Sequence, residues 1–419
     1  MMERNNQRRV VVTGVGATTP LGDSVKETWR RALAGESGVT EISRWDAGDW
    51  PVRIAGEIKD EPELPWVGPK AARNIARFAR FAIVAAAEAL EDSGLGGGGF
   101  SSERAGAIVG TAAGGMDVIA ETTRTFDARG FSRISPHFMT TFPHNMASYH
   151  VAQVFRLFGP NSTVSIACAT GAQAIADATE TIRRGQADVM LAGGAEYASY
   201  PLFIGSFIVQ KATSFRSDDP TRASRPFDGE RDGFVVGDGS GVLVLESLEH
   251  AQARGARIYA EVLGTGSTSD AYHPIAPEPE GRGAAAAIRM ALDDADVRPE
   301  QVDYINAHAA STPLGDAAET TAIKLAFGEE LARRIPISST KSMIGHLMGA
   351  AGAVESIVTI LAMRDGRAHP TINQTTPDPA CDLDYIPNEA RQLDIRIALK
   401  NSFGLGGQNA CVVYGRWDG

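Results

Sequence analysis

The sequence predicts an α/β protein with mostly parallel strands, because short apolar runs alternate along the chain with longer segments of helical character. Helix-like segments separate most of these runs, and a helix between two strands is the usual connection in a parallel pair. The strand-like runs cover residues 9–15, 105–111, 163–167, 187–193 and 241–246 in the first part of the chain, and 259–263, 302–307, 336–338 and 410–414 in the second.

A faint repetition divides the chain into two similar parts. The segment Ala-Leu-Glu-Asp at 89–92 ends a helix, and the strand at 105–111 follows it. Ala-Leu-Asp-Asp at 291–294 ends another helix, and the strand at 302–307 follows in the same way. We therefore expect two similar α/β halves.

Each half continues with a further strand and helix, which carry Cys168 in the first half and His346 in the second. We expect the first half to span residues 1–256 and the second to span residues 257–419. Because ligands of α/β proteins bind at strand ends, the functional site is expected where the halves meet.

The composition of the 419 residues is that of a globular protein, with 43% hydrophobic and 22% charged residues. A net charge of -11 argues against nucleic-acid binding, which needs a basic surface. The three cysteines, at 168, 381 and 411, are too few and too scattered for a disulfide framework or a zinc site. Residues 1–9 are polar, without a signal-peptide core, and no apolar run approaches the ~20 residues of a membrane span. A cytoplasmic protein is the expectation.

Cys168 is the most informative residue of the chain. It lies between an apolar run and a helix expected over 172–183, where unpaired N–H groups and the helix dipole favour a thiolate. Two distant histidines, His308 and His346, also have small neighbours. A cysteine whose histidines meet it only in the fold is typical of covalent acyl chemistry. A buried, inert cysteine is the alternative that this segment alone leaves open.

Three glycine-rich segments have different interpretations. The one at 14–19 half-matches a dinucleotide fingerprint but lacks its third glycine and its acidic partner, which favours a tight strand-to-loop turn. The one at 237–241 lacks the Lys-Ser/Thr of a phosphate loop, which favours backbone packing. The one at 404–409 brackets Leu405 with three glycines, and it is either a ligand-facing hinge or a plain surface turn.

Four basic residues predict a positive strip along one helix. Lys70, Arg73, Arg77 and Arg80 follow helical spacing, with an apolar stripe on the opposite side. On an acidic chain this strip suits docking of an acidic partner, although an ordinary solvated face is the alternative.

The motifs taken together resemble the β-ketoacyl-acyl-carrier-protein synthases of the thiolase superfamily, and among these the elongating synthase II type. The resemblance extends from Arg9 to about Tyr414, and it implies two α/β halves packed as a five-layered α-β-α-β-α core. It implies no metal or other cofactor, because the substrates are carried on the phosphopantetheine of an acyl-carrier protein. The matching motifs begin at Ser165, Gly193, Arg225, Glu230, Asn306, Ser339, Gly345 and Asn401.

The resemblance also implies roles for individual residues. Cys168 would accept the acyl chain as a thioester, and His308 and His346 would donate Nε2–H bonds to the enolate formed when malonyl carrier protein loses CO₂. The N–H groups of Cys168 and Leu405 would form the oxyanion hole. Lys341 would be held near the second histidine by an ion pair with Glu355. Phe403, Gly406 and Gly407 belong to the matching C-terminal motif and would support the site or line the substrate channel.

Partners follow from the resemblance too. Lys70, Arg73 and Lys211 would dock the acidic carrier protein. The family forms dimers, so a homodimer or a heterodimer with a related subunit is expected. Phe138 would lie where the neighbouring chain closes the pocket.

Several residues depart from the family pattern. After His308 the chain has Ala309-Ala310, so one pantetheine-binding hydroxyl is missing while Thr312 retains another, and Ala309 would be strained if its φ were positive. Leu405 replaces a gating phenylalanine, and Ala113 leaves the pocket floor open for a long or stiff chain. These changes keep a type II polyketide ketosynthase subunit as the alternative.

Other classes fit less well. A degradative thiolase needs a second cysteine in the C-terminal glycine loop, an initiating synthase has asparagine in place of His346, and a chain-length partner lacks Cys168. A scaffold that has lost activity is the remaining alternative.

Overall fold

The computed structural model describes residues 8–419, so the first seven residues of the predicted N-terminal half lie outside the described residues. The strands are β1 Val10–Thr18, β2 Thr40–Glu41, β3 Ile54–Ala55, β4 Ala105–Gly110, β5 Asn161–Ser162, β6 Val189–Glu196, β7 Gly239–Ser247, β8 Ala260–Ser269, β9 Tyr304–Asn306, β10 Ile337–Ser338, β11 Arg367–Ala368, β12 Arg391–Gln392, β13 Ile397–Gly404 and β14 Gln408–Arg416. The helices are α1 Val25–Leu33, α2 Pro69–Ala72, α3 Arg77–Asp92, α4 Met116–Arg129, α5 Met146–Phe155, α6 Thr170–Arg183, α7 Pro201–Val209, α8 Leu248–Ala253, α9 Arg282–Ala295, α10 Pro313–Phe327, α11 Glu329–Ala332, α12 Lys341–Ile344 and α13 Ala351–Asp365.

One large sheet runs through both halves, in the order β10-β9-β13-β14-β8-β1-β7-β6-β4-β5. Counted outward from its centre, the order β1-β7-β6-β4-β5 repeats the order β8-β14-β13-β9-β10, with the same strand directions. The predicted similarity of the two halves is therefore confirmed. The expectation of mostly parallel pairing is wrong, because in each half the two central pairs are antiparallel and the two outer pairs parallel. The division at residues 256 and 257 stays a prediction.

Among residues 8–419, the strand pairing that joins the two halves of the sheet consists of Val11 with Glu261 and Val12 with Ala260. Helices α6 and α13 pack between them, while α3 and α5 cover one outer face and α9 and α10 the other, which makes five layers. Gly171 on α6 admits this close approach, because a Cβ there would lie 2.6 Å from the Ala353 nitrogen. Residues 351–363 of α13 are all buried, as a helix enclosed on every side requires.

The segment at 14–19 lies mostly inside β1 rather than in a turn. A Cβ on Gly14 or Gly16 would meet the Ala89 or Ala85 carbonyl of α3 at 2.2 and 2.0 Å. These glycines therefore let helix and strand pack tightly. At 237–241, the packing role is confirmed, since a Cβ on Gly241 would lie 2.7 Å from the Val354 nitrogen.

The predicted basic strip is wrong as a single helical face. Helix α2 ends at Ala72 and α3 begins at Arg77, so the chain turns between them. Arg77 is buried against the Ile58 carbonyl and pairs with Glu61, and Arg80 donates to the Ala72 carbonyl at 2.6 Å. Only Lys70 and Arg73 of the four are exposed.

Two strand predictions also fail locally. The run at 163–167 is not a strand, since β5 ends at Ser162 and a 3-10 turn follows at 167–169. Strand β13 had no counterpart among the predicted runs, because its buried Lys400-Asn401-Ser402 breaks the apolar pattern. Within residues 8–419, no helix combines the length and apolar character needed to cross a bilayer.

Candidate active site

Cys168 lies in the 3-10 turn at 167–169, directly before α6. The preceding Ala167 has φ +49°, a conformation that costs a non-glycine residue energy and that the surrounding structure must hold. The Ile166 N–H donates to the Thr170 hydroxyl at 2.8 Å and ties the turn to the helix. The turn thus presents the half-buried sulfur at the positive end of α6.

Burial raises the pKa of the Cys168 thiol to about 11, although the Leu405 N–H, which donates to the sulfur, and the Lys341 charge both favour the thiolate. Burial of the sulfur thus opposes the preference for the thiolate that is expected at the helix end. The sulfur lies among apolar groups that include Ala113, Phe203 and Met348, where solvation of an anion is poor. At neutral pH the resting group is a thiol.

Leu405 occupies the turn between β13 and β14. Gly406 and Gly407 have φ of +88° and +72°, so the turn needs glycine at both positions. The Gly406 N–H donates to the Pro274 carbonyl at 3.0 Å, and the Leu405 side chain is 39% exposed. The turn brings one backbone N–H to the sulfur and leaves a partly exposed leucine beside it.

His346 has a defined tautomer. The Met348 N–H donates to its Nδ1 at 3.2 Å, so the ring proton is on Nε2. That Nε2 is buried and has no hydrogen-bond partner among the described residues. An unpaired buried N–H is costly, which indicates a site kept ready for an acceptor.

His308 faces His346 with ring centroids 5.3 Å apart. Its backbone N–H and that of Ala309 donate to the two carboxylate oxygens of Glu319 at 2.9 and 2.6 Å. The ring of Phe403 lies 5.9 Å from His308. Glu319 thus fixes the loop that carries this imidazole.

Both histidines are neutral at physiological pH. Burial and the Lys341 and Lys400 charges lower their pKa values well below the ordinary range, and His346 lowers the pKa of His308 further. A neutral imidazole keeps one ring N–H, and this N–H can donate a hydrogen bond to an oxygen that becomes negative during the reaction.

Lys341 and Glu355 lie together behind the histidines. The Lys341 Nζ is 2.5 Å from the Glu355 Oε1, and both side chains are almost fully buried. Lys400 completes the cluster, with its Nζ 2.8 Å from the Glu355 Oε2. Sequence reasoning missed Lys400, for which the available signal was its position directly before the recognised motif that begins at Asn401.

Glu196 is a second residue whose role was missed. It follows the Gly-Gly-Ala part of a recognised motif, and its buried carboxylate accepts from the amides of Ala112, Ala113 and Gly349 at 2.7, 3.1 and 3.0 Å. The carboxylate thereby joins the pocket floor of the first half to the second half beside Cys168.

The altered loop after His308 is not strained at Ala309. In the described chain, Ser311 carries the positive φ of this loop, at +70°. The Thr312 hydroxyl accepts from the Gly315 N–H at 3.2 Å and caps α10, which leaves its proton free for another acceptor. The strain expected for a positive φ at Ala309 is therefore absent.

The remaining predicted residues lie further from the sulfur or at the surface. Lys70, Arg73 and Lys211 are exposed. Phe138 is half-buried and stacks on Phe142 with centroids 4.7 Å apart.

Comparison with known proteins gives a consistent result over the whole chain. Residues 7–251 match the family model of the β-ketoacyl synthase N-terminal domain, and residues 259–375 match the C-terminal domain. A 3-oxoacyl-[acyl-carrier-protein] synthase 2 of Synechocystis sp. is 44% identical over 99% of this chain and 100% of the relative. The proteins of the same name from Staphylococcus aureus and Coxiella burnetii are 45% and 46% identical, over 99% and 98% of this chain and 100% and 99% of the relatives.

Solved structures show the same fold. A type II polyketide ketosynthase in complex with its acyl-carrier protein and a hexaketide superposes with a TM-score of 0.90 and 37% identity, over 98% of this chain and 100% of that one. The ishigamide ketosynthase/chain length factor and a β-ketoacyl synthase from Burkholderia phymatum both give a TM-score of 0.91 and 37% identity, with the same coverage. The predicted five-layered thiolase-like fold is confirmed.

Proposed function

The chain belongs to the β-ketoacyl synthase family, and on that premise we propose that Cys168, His308 and His346 carry out its reaction. The enzyme is a β-ketoacyl-[acyl-carrier-protein] synthase. It condenses an acyl chain with malonyl carrier protein, with loss of CO₂, in fatty-acid elongation.

In the first half-reaction, the Cys168 sulfur attacks the acyl thioester of a carrier protein. The sulfur loses its proton, a new C–S bond forms, and the carrier's thiol leaves with a proton. The Leu405 N–H, together with the N–H of Cys168 itself, would receive the negative oxygen of the tetrahedral intermediate. The raised pKa of the thiol means that deprotonation accompanies substrate binding rather than preceding it.

In the second half-reaction, malonyl carrier protein replaces the first carrier. The bond to its carboxylate breaks, CO₂ leaves, and the electron pair forms an enolate whose oxygen accepts from the Nε2–H of His346 and from His308. The enolate carbon then attacks the Cys168 thioester, and the C–S bond breaks to release the β-ketoacyl product. The reaction proposed here needs no metal or nicotinamide, since the departure of CO₂ drives bond formation.

The observation that carries this proposal is the pair of neutral imidazoles 5.3 Å apart, of which the buried one, His346, has an unpartnered N–H. The test is to incubate the protein with a panel of acyl carriers and malonyl carrier protein and to weigh the products by mass spectrometry. Products that are one two-carbon unit longer support the proposal, and recovery of unextended carriers alone contradicts it.

The second candidate is a ketosynthase subunit that extends an unusual or unsaturated chain. The small Ala113, which packs against the same apolar cluster as Cys168, favours it, as does the type II polyketide ketosynthase structure that is similar to this chain. The same product panel separates the candidates, because the fatty-acid enzyme prefers saturated primers and the polyketide type prefers polyene or polyketo primers.

We also propose an acidic acyl-carrier protein as partner, docked on Lys70, Arg73 and Lys211, because these exposed cations lie on a chain of net charge -11. One similar structure contains a ketosynthase with its acyl-carrier protein, which supports this kind of partner. A dimer in which Phe138 meets the neighbouring subunit is proposed as well. We propose a cytoplasmic location too, because the three cysteines of the chain are free and a reducing compartment keeps thiols free.

A further inference from the structure

Lys400 is a fully buried lysine behind the two histidines. It lies on β13 between buried neighbours, and none of its surface is exposed. Its Nζ lies 2.8 Å from the Glu355 Oε2, and it also donates to the Asn401 carbonyl. Because the Lys341 Nζ lies 2.5 Å from the other oxygen of Glu355, two cations share one carboxylate.

The second cation needs an explanation, because Lys341 and Glu355 alone would already balance in charge. Burying an ammonium group is strongly unfavourable, because it loses its hydration, unless nearby groups stabilise the charge. Burial lowers the pKa of Lys400, the Glu355 charge opposes this, and the neighbouring Lys341 adds to it. The buried ammonium group of Lys400 therefore lies at one carboxylate oxygen of Glu355, and Lys341 lies at the other.

One further buried carboxylate acts on this cluster. Glu319 on α10 favours the charged form of Lys400, while its oxygens accept from the His308 and Ala309 amides and from the Asn401 side chain. The remaining titratable groups that act on the cluster are Cys168, Tyr304, His369 and Cys411. Lys341, Glu355 and Lys400 by themselves carry one excess positive charge when all three groups are ionised.

This excess charge acts on both imidazoles. The Lys341 and Lys400 charges each disfavour protonation of His308 and His346. A positive potential at this point also favours the negative oxygen that the proposed decarboxylation would create between the two rings.

Building on the proposed function, we propose that Lys400 is a positioning residue that acts through Glu355. It clamps the carboxylate from the side opposite Lys341, and it adds positive potential where His308 and His346 receive the enolate oxygen. Lys400 does not touch the substrate itself.

The test replaces Lys400 with methionine, which has a similar length and no charge. For K400M we expect kcat of malonyl decarboxylation to fall roughly tenfold with KM unchanged. The pH below which the decarboxylation rate of K400M falls should be higher than in the wild type by roughly one pH unit, because the imidazoles protonate more easily. Acylation of Cys168 should proceed at nearly the wild-type rate. K324M is the matched control, since Lys324 also pairs with a carboxylate, Asp382 at 2.5 Å, but lies on α10 away from the cluster.

A second variant, K400Q, separates charge from hydrogen bonding, because its neutral amide can still donate to the Asn401 carbonyl. The same pH shift in K400Q and K400M supports the proposal. A wild-type acid limb in either variant overturns it, and failure of both variants to fold also overturns it by assigning Lys400 to the fold alone. A wild-type enzyme without decarboxylase activity would instead refute the proposed function, which is a different result.

Discussion

The Met348 N–H donates to Nδ1 of His346 at 3.2 Å, and this hydrogen bond decides which ring nitrogen carries the proton. Met348 itself has φ +48°, so the backbone is held in an unfavourable conformation to make the contact. The consequence is an Nε2–H that points to no partner in the described chain. The site therefore contains a hydrogen-bond donor that only a bound molecule can satisfy.

Alanine at either histidine should separate the two half-reactions. For H308A and H346A we expect malonyl decarboxylation to fall by 10² to 10³ or more, the usual effect of removing one oxyanion donor. Acylation of Cys168 by an acyl carrier should persist in both, because it uses backbone N–H groups. Mass spectrometry of the acyl-enzyme and CO₂ release measure the two steps. Retained decarboxylation in either variant would refute the shared role of the imidazoles.

Alkylation of the cysteines should depend steeply on pH. Because the pKa of Cys168 is about 11 in the unliganded site, its reaction with iodoacetamide should quicken about tenfold per pH unit from 7 to 9, without a plateau. Cys381 and Cys411 are buried and should stay unlabelled in the folded enzyme. Peptide mass spectrometry of labelled protein measures each site. A plateau near pH 7, or equal labelling of all three residues, would contradict this expectation.

The contribution of His369 to stability should fall on acidification below pH 6.5, while the raised pKa values of Glu88, Asp117 and Asp316 act in the opposite direction. Burial lowers the pKa of His369 to about 4, so the unfolded chain binds a proton that the folded chain does not. This group alone should cost about 3 kcal/mol of unfolding free energy between pH 6.5 and 4, and His308 and His346 act in the same direction. Urea unfolding at several pH values measures the slope. The H369N variant should show a shallower slope, whereas H273N, at an exposed histidine, should keep the wild-type slope.

Charge reversal should reveal the carrier-docking surface. In K70E/R73E we expect KM for carrier-bound substrates to rise about tenfold or more with kcat little changed, because both residues are exposed on an acidic chain. Free acyl-thioester analogues should react as they do with the wild type. R298E reverses an exposed charge elsewhere and serves as the control. Equal loss with carrier-bound and free substrates would show that the variant harms the site instead.

Filling the space at Ala113 should shorten the accepted chain. In A113I the added carbons would enter the apolar wall beside Cys168, so KM for long acyl carriers should rise about tenfold while short ones react normally. The product panel by mass spectrometry measures this, with A286I on an exposed face as the control. An unchanged chain-length profile would show that Ala113 does not limit the pocket.

The centre of the site could be predicted from sequence because its residues lie in short runs of small neighbours. Cys168, His308 and His346 each lie where the chain must let a substrate approach, and small side chains leave a visible pattern. Lys400 could not be predicted in this way, since a lysine inside a strand is usually exposed. Only the register of β13 beside α13 shows that it faces Glu355.

The predicted basic strip was wrong because the sequence pattern did not show where the helix ends. Helical spacing describes where side chains would point if the helix were continuous, but it contains no information on where the helix ends. The chain turns after Ala72, and Arg80 bonds two backbone carbonyls, at Ala72 and Ile75, near that turn. The Arg80 guanidinium therefore binds the protein's own backbone, although the pattern had assigned it to a partner protein.

The carboxylate of Glu196 has an evolutionary consequence. It collects amides from Ala112 and Ala113 in one half and from Gly349 in the other, and a Cβ at Gly349 would lie 2.8 Å from it. A chimera that combines halves from two homologues must therefore keep this acid and that glycine as a matched pair. The two halves are alike in strand order, yet this contact makes each half specific to the other.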